Sequence, residues 1–467
     1  PLPLWATQLK SGRGLPHSKT LARIRTAHGE NKRVHRLNDM GRTFVGFGFG
    51  PIQSALFLYE AFRSRNFSRF VIAEVDANIV QAVRSAGGRY TINIAFPDRV
   101  DQATVSDVEL YNPAIPPERQ QILRAIAESD ELATSLPSVA FYDRGGQTSV
   151  ARMLADGLSL RGTRRPTIIY TAENHNHAAE LLRDAVAKYC PPADLDGIQF
   201  LNTVIGKMSG VITDAATLAK LRLATLTPTT PKAVLVEEFN RILISQITLP
   251  AFSRGIEVFI EKPDLLPFEE AKLYGHNAIH ALLGFLGARR GLTNMSEAAA
   301  HPDLMATARA AFLDESGAAL IRKYAPLGDP LFTPSGYAAY ADDLLERMVR
   351  PTLNDLIARV TRDQVRKLGY DDRFFGTMRL ALNCGIRPTH LTQGAAAALL
   401  SLLDQWDFLG QAMAQLPRPA CPFTRESVGE LLRAIWSVKA GPEAATLIDL
   451  TWEAVQAEGA FAVLGKT

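Results

Sequence analysis

Four residues that could carry out proton transfer lie close together in the second half of the chain. They are Lys272, His276, Asn277 and His280, within the segment Glu270-Ala-Lys-Leu-Tyr-Gly-His-Asn-Ala-Ile-His280. At about 100° per residue on a helix, the two histidines fall at about 40° and 80° from the lysine and the asparagine at about 140°. The four side chains therefore share one arc of a predicted helix. A lysine can move a proton, an amide can hold an oxygen and an imidazole can orient it, so this arc suits interconversion of an alcohol and a carbonyl.

The same spacing is also compatible with a plain surface helix. A lysine with polar neighbours on a solvated face would look identical over these few residues. The apolar residues Ile279, Leu282 and Leu286 supply a side that can pack the helix against a core. The rest of the chain decides between the two interpretations.

Size and composition are typical of a large globular protein. Its 467 residues exceed one ordinary core, so two domains of roughly 200 residues each are expected. The net charge of +3 does not indicate nucleic-acid binding. No apolar run reaches the ~18 residues needed to span a bilayer, and no secretory signal is visible near the start. The three cysteines, Cys190, Cys384 and Cys421, lack CxxC spacing, which favours a reducing, cytoplasmic location.

Residues 1–42 form a predicted basic arm. Proline and glycine interrupt any periodicity there. Its basic residues, set against Glu30 and Asp39, are Lys10, Arg13, Lys19, Arg23, Arg25, Lys32, Arg33 and Arg36. A solvated extension is the favoured interpretation, and an anionic partner or a targeting remnant is the alternative.

A glycine-rich turn follows, between two predicted strands. The segment Arg42-Thr-Phe-Val-Gly-Phe-Gly-Phe-Gly-Pro-Ile-Gln53 runs from an apolar strand into the turn, and a helix and a second strand over residues 69–76 come next. This order predicts a dinucleotide-binding βαβ unit. Gly48 permits the tight turn, Gly50 lets the backbone approach a pyrophosphate, and the helix N-terminus offers free N–H groups. Gln53 occupies the third glycine position, so an ordinary glycine-rich turn is the alternative.

Acidic residues at the end of the second strand indicate which cofactor is expected. Glu74 can accept hydrogen bonds from ribose hydroxyls and would repel a 2′-phosphate, which favours NAD over NADP. The strand predicted over residues 131–137 should also end facing the cofactor. The predicted cofactor-binding residues are Gly46, Gly48, Gly50, Pro51, Ile52, Glu74, Asp76 and Ser135.

The pattern of predicted elements changes near residues 263–267. Before this point, strands are predicted over residues 91–96, 104–110, 131–137, 165–174, 197–204 and 233–237. After it, helices are predicted over residues 308–324, 337–349, 352–366, 374–385, 394–403 and 427–438. The predicted fold is an α/β Rossmann-type domain, residues 43–265, followed by a mostly α-helical substrate domain, residues 266–467. Asn174 ends one predicted strand, where its amide could reach a substrate oxygen.

These features together resemble the polyol-specific long-chain dehydrogenases, the mannitol dehydrogenase family, and among them the mannitol-1-phosphate 5-dehydrogenases most. The family's lysine, with asparagine five residues later and histidine eight later, is matched by Lys272, Asn277 and His280. Its strand-end asparagine is matched by Asn174. Further similar segments are Glu315-Ser-Gly317, Leu320-Ile-Arg-Lys-Tyr324, Arg359-Val-Thr-Arg-Asp-Gln-Val-Arg-Lys-Leu368 and Asp372-Arg373.

The resemblance implies a metal-independent enzyme that moves a hydride between NAD and a sugar alcohol or its phosphate. The implied catalytic residues are Lys272 as the acid/base, with Asn174, Asn277 and His280. The predicted substrate-binding residues are Arg359, Arg362, Arg366, Lys367 and His276, although a solvated basic face is the alternative for the first four. The expected partner is a small molecule, without nucleic acid or membrane, and the chain is expected to be a monomer or a homodimer.

One segment departs from the family pattern. Where the family usually carries Val-Asp-Arg-Ile-Val/Thr-Pro, this chain has Ile205-Gly-Lys-Met-Ser-Gly210. Gly206 thus replaces a substrate-contacting aspartate, and Lys207 replaces an arginine. Two further functions therefore stay open: a reductase of a sugar acid in the same family, and a non-catalytic NAD-binding sensor.

A metal site is the remaining alternative for this region. The candidate ligands are His175, His177, His276 and His280. The last two are four residues apart, as zinc-binding histidine pairs are, but the residues between them include no glutamate base. No carboxylate ligand is evident either, so no metal is predicted.

Overall fold

The structure is a computed structural model. It describes residues 41–162, 166–239, 241–409, 413–420, 422–437 and 440–464. The predicted basic arm lies outside these residues except for its last two positions. Residues 42–467 pack as one unit.

Twelve strands lie in the first 262 residues, within the part of the chain that is described. They are β1 Arg42–Phe47, β2 Phe67–Ala73, β3 Tyr90–Ala95, β4 Val100–Val105, β5 Val108–Tyr111, β6 Glu131–Thr134, β7 Thr167–Thr171, β8 Ile198–Val204, β9 Ser209–Ile212, β10 Ala233–Glu237, β11 Leu243–Ser245 and β12 Ile260–Lys262. Eight of them form one sheet in the order β12-β11-β8-β7-β6-β1-β2-β5. The run from β5 to β8 is parallel throughout.

The parallel strands have the order that dinucleotide-binding sheets use. Their connections run outward from β1 through β2 to β5, then return to the other side of β1 with β6, β7 and β8. Ligands bind such sheets in the crevice at the carboxyl ends of the strands, where the order reverses. Because helices cover both faces, the inner strands are buried on both sides, and all five residues of β7 and all four of β6 are buried. The predicted fold class is confirmed.

A second sheet, not expected from the sequence, has the order β4-β3-β10-β9. The prediction of a single strand over residues 104–110 was wrong, because β4 of this second sheet ends at Val105 and β5 of the first sheet begins at Val108. Asp107 has a φ of 62°, and this left-handed residue turns the chain between β4 and β5. The two halves of the predicted strand therefore enter different sheets.

The α-helices are concentrated after residue 265. They are α1 Leu58–Ser64, α2 Ala77–Ser85, α3 Pro116–Glu128, α4 Val150–Ser159, α5 Ala178–Ala187, α6 Ala215–Lys220, α7 Leu266–Glu270, α8 Ala278–Arg289, α9 Pro302–Ala310, α10 Ala318–Tyr324, α11 Pro334–Met348, α12 Ile357–Val360, α13 Gln364–Lys367, α14 Phe375–Asn383, α15 Thr389–Asp404, α16 Arg425–Trp436 and α17 Ala444–Leu464. The central helix α8 buries nine of its twelve residues in the core of the helical region. None of the described helices is both long and apolar enough to cross a bilayer.

The helix that carries Lys272 is interrupted by a π-helical segment. Residues Ala271–Asn277 are π-helical between α7 and α8, so the predicted helix forms, but not with a regular α pitch. A second π segment, Ala311–Gly317, joins α9 to α10 and packs against the first. The contact requires Gly275, because a Cβ atom there would lie 2.8 Å from the Tyr337 hydroxyl and 3.0 Å from the Phe312 ring. π segments often mark functional sites.

The helix predicted over residues 352–366 was wrong. The chain there forms only two short helices, α12 and α13, separated by Asp363 with a φ of 59°. Asn354, with a φ of 46°, ends the preceding turn. The basic residues of this region therefore do not share one helix face.

The sheet and helical regions are joined by a buried ion pair. Arg347 on α11 donates from Nε to Glu237 Oε2 at 2.8 Å and from Nη2 to Glu237 Oε1 at 2.6 Å. The same Nη2 donates to the Gly206 carbonyl at 2.6 Å. The pair crosses the predicted domain boundary at residues 265 and 266, and the boundary itself stays a prediction.

Candidate active site

A cleft lies between the carboxyl ends of β7 and β8 and the helical region. Its volume is about 890 Å³. The sheet side contributes the segment 173–177 with Thr203 and Val204, and the helical side contributes the Lys272 helix and the segments 365–372 and 435–437. The lining residues are Glu173, Asn174, His175, Asn176, His177, Thr203, Val204, Glu269, Lys272, Leu273, Asn277, Val365, Arg366, Gly369, Tyr370, Asp371, Asp372, Ile435, Trp436 and Ser437.

Lys272 and Asn174 meet in this cleft. The Lys272 Nζ donates to Asn174 Oδ1 at 3.1 Å, although the residues are 98 positions apart in the chain. Asn174 follows Glu173, whose buried carboxylate accepts hydrogen bonds from the Thr134 hydroxyl and the Leu136 N–H, both at 2.8 Å. These hydrogen bonds hold Glu173 at the end of β7 and thereby position the Asn174 amide beside Lys272.

Two titratable groups of opposite sign face each other along the Lys272 helix. Burial, together with the charge of Arg373, lowers the pKa of Lys272 to about 8, against an opposing effect of Glu269. Burial and the charge of Glu180 raise the pKa of Glu269 to about 8, and Lys272 opposes this rise. Both groups line the cleft.

Asn277 and His276, both predicted site residues, are neighbours on the π segment but have different surroundings. Asn277 lines the cleft with Lys272. His276 is buried and is not part of the cleft lining, which does not fit its predicted role in substrate binding. Burial, with the nearby His280, holds the pKa of His276 well below its usual value, so its ring is neutral.

His280 is held by a carboxylate that the sequence interpretation missed. Its Nε2 lies 2.8 Å from Asp355 Oδ2. Arg359 donates to the other oxygen of Asp355 from Nε at 2.9 Å and from Nη2 at 2.6 Å. The four-residue spacing of aspartate and arginine was the available signal, but the helix predicted there was wrong.

The four basic residues predicted to bind substrate do not converge. Arg366 lines the cleft, where it lies 3.4 Å from Asp372. Lys367 is buried, and its ammonium donates to the Arg362 carbonyl. Neither Arg359 nor Arg362 lines the cleft. Arg359 is bound to Asp355, and the Arg362 side chain is exposed.

Arg373 is a further cation beside this group. It is buried and donates from Nε to Asp372 Oδ1 at 2.8 Å. After burial itself, Arg373 is the largest influence that lowers the pKa of Lys272 and of Lys367, each to about 8. The Asp372-Arg373 pair was noted in the sequence, but nothing there indicated its approach to Lys272.

A wall of the cleft comes from the end of α16. Trp436 donates from its ring nitrogen to the Leu368 carbonyl at 2.9 Å, and its ring packs on Tyr370 and Phe375. Ile435 and Ser437 line the cleft beside it. The sequence carried no motif that could have identified these residues.

The glycine-rich turn combines a tightly packed, left-handed glycine with a second glycine under open space. Gly48 has a φ of +84°, and a Cβ atom there would lie 2.7 Å from the Ser135 carbonyl oxygen. A Cβ atom on Gly50 would meet nothing within 4 Å, so the space above this turn is open. Gln53, in the third glycine position, is fully buried with its amide against Gly46. Pro51 and Ile52 begin the helical run 51–64.

The acids after β2 have different surroundings. Glu74 accepts a hydrogen bond from the Asp76 N–H at 2.8 Å. Asp76 itself caps α2 by accepting from the Asn78 N–H at 2.9 Å, so its carboxylate stabilises the start of this helix. Between them, Val75 is 74% exposed, an apolar side chain beside the predicted ribose site that the sequence interpretation missed.

The segment that departs from the family pattern lies behind the cleft. The Gly206 carbonyl binds Arg347, as described above, and the Lys207 ammonium donates to the carbonyls of Glu237 and Phe239. Burial lowers the pKa of Lys207 to about 8. Neither residue is part of the cleft lining.

The histidines suggested as metal ligands are not arranged as a metal site. Among the described residues, no group of three or more histidine, cysteine, aspartate or glutamate side chains could hold a metal ion. His175 uses its Nδ1 to accept a hydrogen bond from the His177 N–H at 3.0 Å.

Comparisons with known proteins agree with this arrangement. Residues 264–417 match the Mannitol dehydrogenase C-terminal domain. The chain is 27% identical over 336 residues to a mannitol-1-phosphate 5-dehydrogenase of Bacillus licheniformis, covering 70% of this chain and 80% of the relative. It is 28% identical over 393 residues to a mannitol-1-phosphate 5-dehydrogenase of an Arthrobacter species, covering 82% of this chain and 90% of the relative.

Two solved structures share the fold. A substrate-free D-sorbitol dehydrogenase superposes with a TM-score of 0.70 at 15% identity, covering 89% of this chain and 93% of the other. The mannitol 2-dehydrogenase of Pseudomonas fluorescens, in a ternary complex with NAD and D-mannitol, superposes with a TM-score of 0.68 at 14% identity, covering 90% and 92%. The predicted resemblance to the mannitol dehydrogenase family is confirmed by the sequence matches, in which residues 264–417 are similar to the family's C-terminal domain.

Proposed function

We propose that this chain is an NAD-dependent dehydrogenase of a sugar alcohol or a sugar-alcohol phosphate. The contact between Lys272 Nζ and Asn174 Oδ1, 3.1 Å long and inside the cleft, is the observation that carries the proposal. The relatives named mannitol-1-phosphate 5-dehydrogenase support the substrate class. The expectations of a cytoplasmic location and of a monomer or homodimer stay predictions.

The residues around the glycine-rich turn fit NAD. The open space over Gly50 and the start of the helical run 51–64 suit a pyrophosphate, because unpaired N–H groups and the positive end of the helix dipole favour anions. Glu74 suits the ribose hydroxyls, and the exposed Val75 supplies an apolar surface for adenine. When bound, the nicotinamide accepts or donates the hydride.

Lys272 is the proposed acid/base. A lysine with a pKa of about 8 has a substantial neutral fraction near neutral pH, so it can take the proton of the alcohol and return it in the reverse reaction. Because Asn174 accepts from Lys272 through Oδ1, its NH₂ group remains to donate to the substrate oxygen. Asn277 lines the same cleft as a second amide. Glu269, with a pKa also about 8, is a suitable group to relay the proton onward.

One buried cation beside Lys272 supports an anionic substrate, although the cleft lining also carries the acids Glu173, Glu269, Asp371 and Asp372. Arg373 is a buried cation whose charge lowers the pKa of Lys272 and also that of the buried Lys367. A phosphate bound among them would compensate this mutual repulsion. A carboxylate would do the same, which keeps the reductase of a sugar acid as the second candidate.

A substrate screen tests the proposal. NADH formation or loss is followed across polyols, polyol phosphates and sugar acids, with and without a strong chelator. We expect turnover of a polyol phosphate that the chelator leaves unchanged. Turnover of sugar acids alone would favour the reductase, and NAD binding without any turnover would favour the sensor. A loss of activity with the chelator would contradict the metal-independent mechanism.

The cofactor assignment has a separate test. Because Glu74 would repel a 2′-phosphate, kcat/KM should be higher with NAD than with NADP. Replacing Glu74 with glutamine should narrow this preference while leaving the KM for substrate nearly unchanged. A wild-type preference for NADP would contradict the assignment.

A further inference from the structure

Asp355 joins two residues that the family resemblance assigns to the active site. One oxygen, Oδ2, lies 2.8 Å from His280 Nε2. The other, Oδ1, accepts from Arg359 Nε at 2.9 Å and Nη2 at 2.6 Å. Asp355 itself is 6% exposed, while the Arg359 side chain is 46% exposed. A buried carboxylate therefore holds a ring on its inner side and a guanidinium on its outer side.

The charge state of Asp355 fixes what His280 can do. Burial alone would raise the pKa of Asp355, but the hydrogen bond from His280 and the charge of Arg359 hold it below its usual value. An ionised carboxylate can only accept hydrogen bonds. The proton shared with His280 is therefore on Nε2, which leaves Nδ1 as the other hydrogen-bonding atom of the ring.

We propose that Asp355 is a positioning residue that holds His280 in the Nε2–H tautomer. In this form Nδ1 is an acceptor, the role that orientation of a substrate hydroxyl requires, and the His280 ring itself stands outside the cleft lining. The same carboxylate also holds the Arg359 guanidinium, which does not line the cleft. This inference rests on the proposed function, and it adds a carboxylate that orients His280.

The surrounding chain allows Asp355 a second, purely structural role. Its carbonyl accepts from the Met295 N–H at 2.8 Å, and the neighbouring Leu356 forms a β-bridge with Asn294. These backbone contacts survive a side-chain substitution. Two measurements therefore distinguish a positioning role from a structural role. One is the tautomer of His280, and the other is whether the effect of replacing Asp355 on kcat depends on the presence of His280.

The tautomer can be measured directly on the wild-type protein. Long-range ¹H–¹⁵N correlation spectra of protein labelled at histidine ring nitrogens distinguish the two neutral tautomers, and the His280→Gln variant assigns the signal. We expect the Nε2–H pattern for His280 in the wild type. An Nδ1–H pattern would overturn the proposal, and this measurement does not depend on any substrate being turned over.

Substitution by asparagine supplies the second measurement. In Asp355→Asn the amide NH₂ can donate to His280 Nε2, which favours the Nδ1–H tautomer of His280. We therefore expect kcat to fall by about 10²-fold or more. The Kd for NAD should stay within about twofold. In the His280→Gln background the same substitution should change kcat by less than about threefold, because its target is gone. An equal loss in both backgrounds would overturn positioning through His280.

A matched carboxylate serves as the control. Asp156 is also held by two arginines, Arg119 at 2.5 Å and Arg152 at 2.9 Å, but it lies on α4, away from the cleft. Asp156→Asn should leave kcat and the His280 signal unchanged. If Asp355→Asn fails to fold, the wild-type tautomer still decides the proposal. If no substrate of the proposed class reacts, the proposed function fails and the tautomer result stands separately.

Discussion

At the residue scale, the contact between Lys272 and Asn174 was predictable, whereas its electrostatic setting was not. Both residues stood in recognisable local patterns, a helix arc and a strand end, and the carboxyl ends of strands in such sheets face the ligand crevice. The approach of Arg373 and the burial of Lys367 depend on tertiary packing that no local spacing records. The same applies to Asp355, because its role appears only once His280 lies beside it.

Arg373 should set the pH dependence of the reaction. It lowers the pKa of Lys272, so Arg373→Met should raise that pKa. Below its pKa, Lys272 carries a proton and cannot act as base, so the acidic limb of kcat/KM for alcohol oxidation should move from near pH 8 to higher pH. Arg254→Met, which removes a half-buried arginine paired with Glu261 in the sheet region, should leave the limb in place. An unshifted limb in Arg373→Met would contradict the electrostatic account.

At the element scale, the sequence pattern located the Lys272 helix but not its pitch. A period of 3.6 residues predicts an α-helix, and the π segment Ala271–Asn277 changes which side chains face the cleft. This accounts for the different surroundings of His276, which is buried, and Asn277, which lines the cleft. The helix predicted over residues 352–366 failed because left-handed residues such as Asp363 break the chain into single turns.

The packing of the two π segments predicts a cost for any side chain at Gly275. A Cβ atom there would lie within 3.0 Å of Tyr337 and Phe312, both fully buried, so neither ring can move away easily. Gly275→Ala should lower the free energy of unfolding by about 1–3 kcal/mol, although alanine has the higher helix propensity. It should also reduce kcat, because the same segment carries Lys272. Chemical denaturation measures the first effect. Gly210→Ala, where a Cβ meets nothing within 4 Å, should change stability by less than about 0.5 kcal/mol. Equal stability of the two variants would contradict this packing account.

At the scale of the whole molecule, the order of strands and helices predicted a Rossmann-type sheet followed by helices. The second sheet escaped prediction because its strands come from distant parts of the chain, β3 and β4 before β5, and β9 and β10 after β8. The buried pair of Arg347 and Glu237 escaped it for the same reason, since 110 residues separate the partners. This pair joins the two regions whose junction forms the cleft.

Breaking this pair should destabilise the whole protein. Glu237→Gln leaves the buried Arg347 with only the exposed carboxylate of Asp343 as a charged partner, so the free energy of unfolding should fall by about 3–5 kcal/mol. Replacing both residues with methionine should cost less than the single substitution, because it also removes the buried Arg347 charge. Asp342→Asn, which breaks an exposed pair with Arg309, should cost less than about 1 kcal/mol. A single substitution no more harmful than this control would show that the pair does not join the two regions.

Lys272 is the proposed acid/base of a hydride-transfer reaction, and one measurement tests this role most directly. On the substrate identified by the screen, kcat of Lys272→Ala should fall by about 10²–10⁴-fold, and the pH limb near 8 should disappear. The Kd for NAD should stay within about twofold, because the proposed nucleotide site lies at the glycine-rich turn. Lys188→Ala, which removes an exposed lysine paired with Asp143, provides the control. If Lys272→Ala turns over within a few-fold of the wild type and keeps the pH limb, the proposed mechanism is wrong.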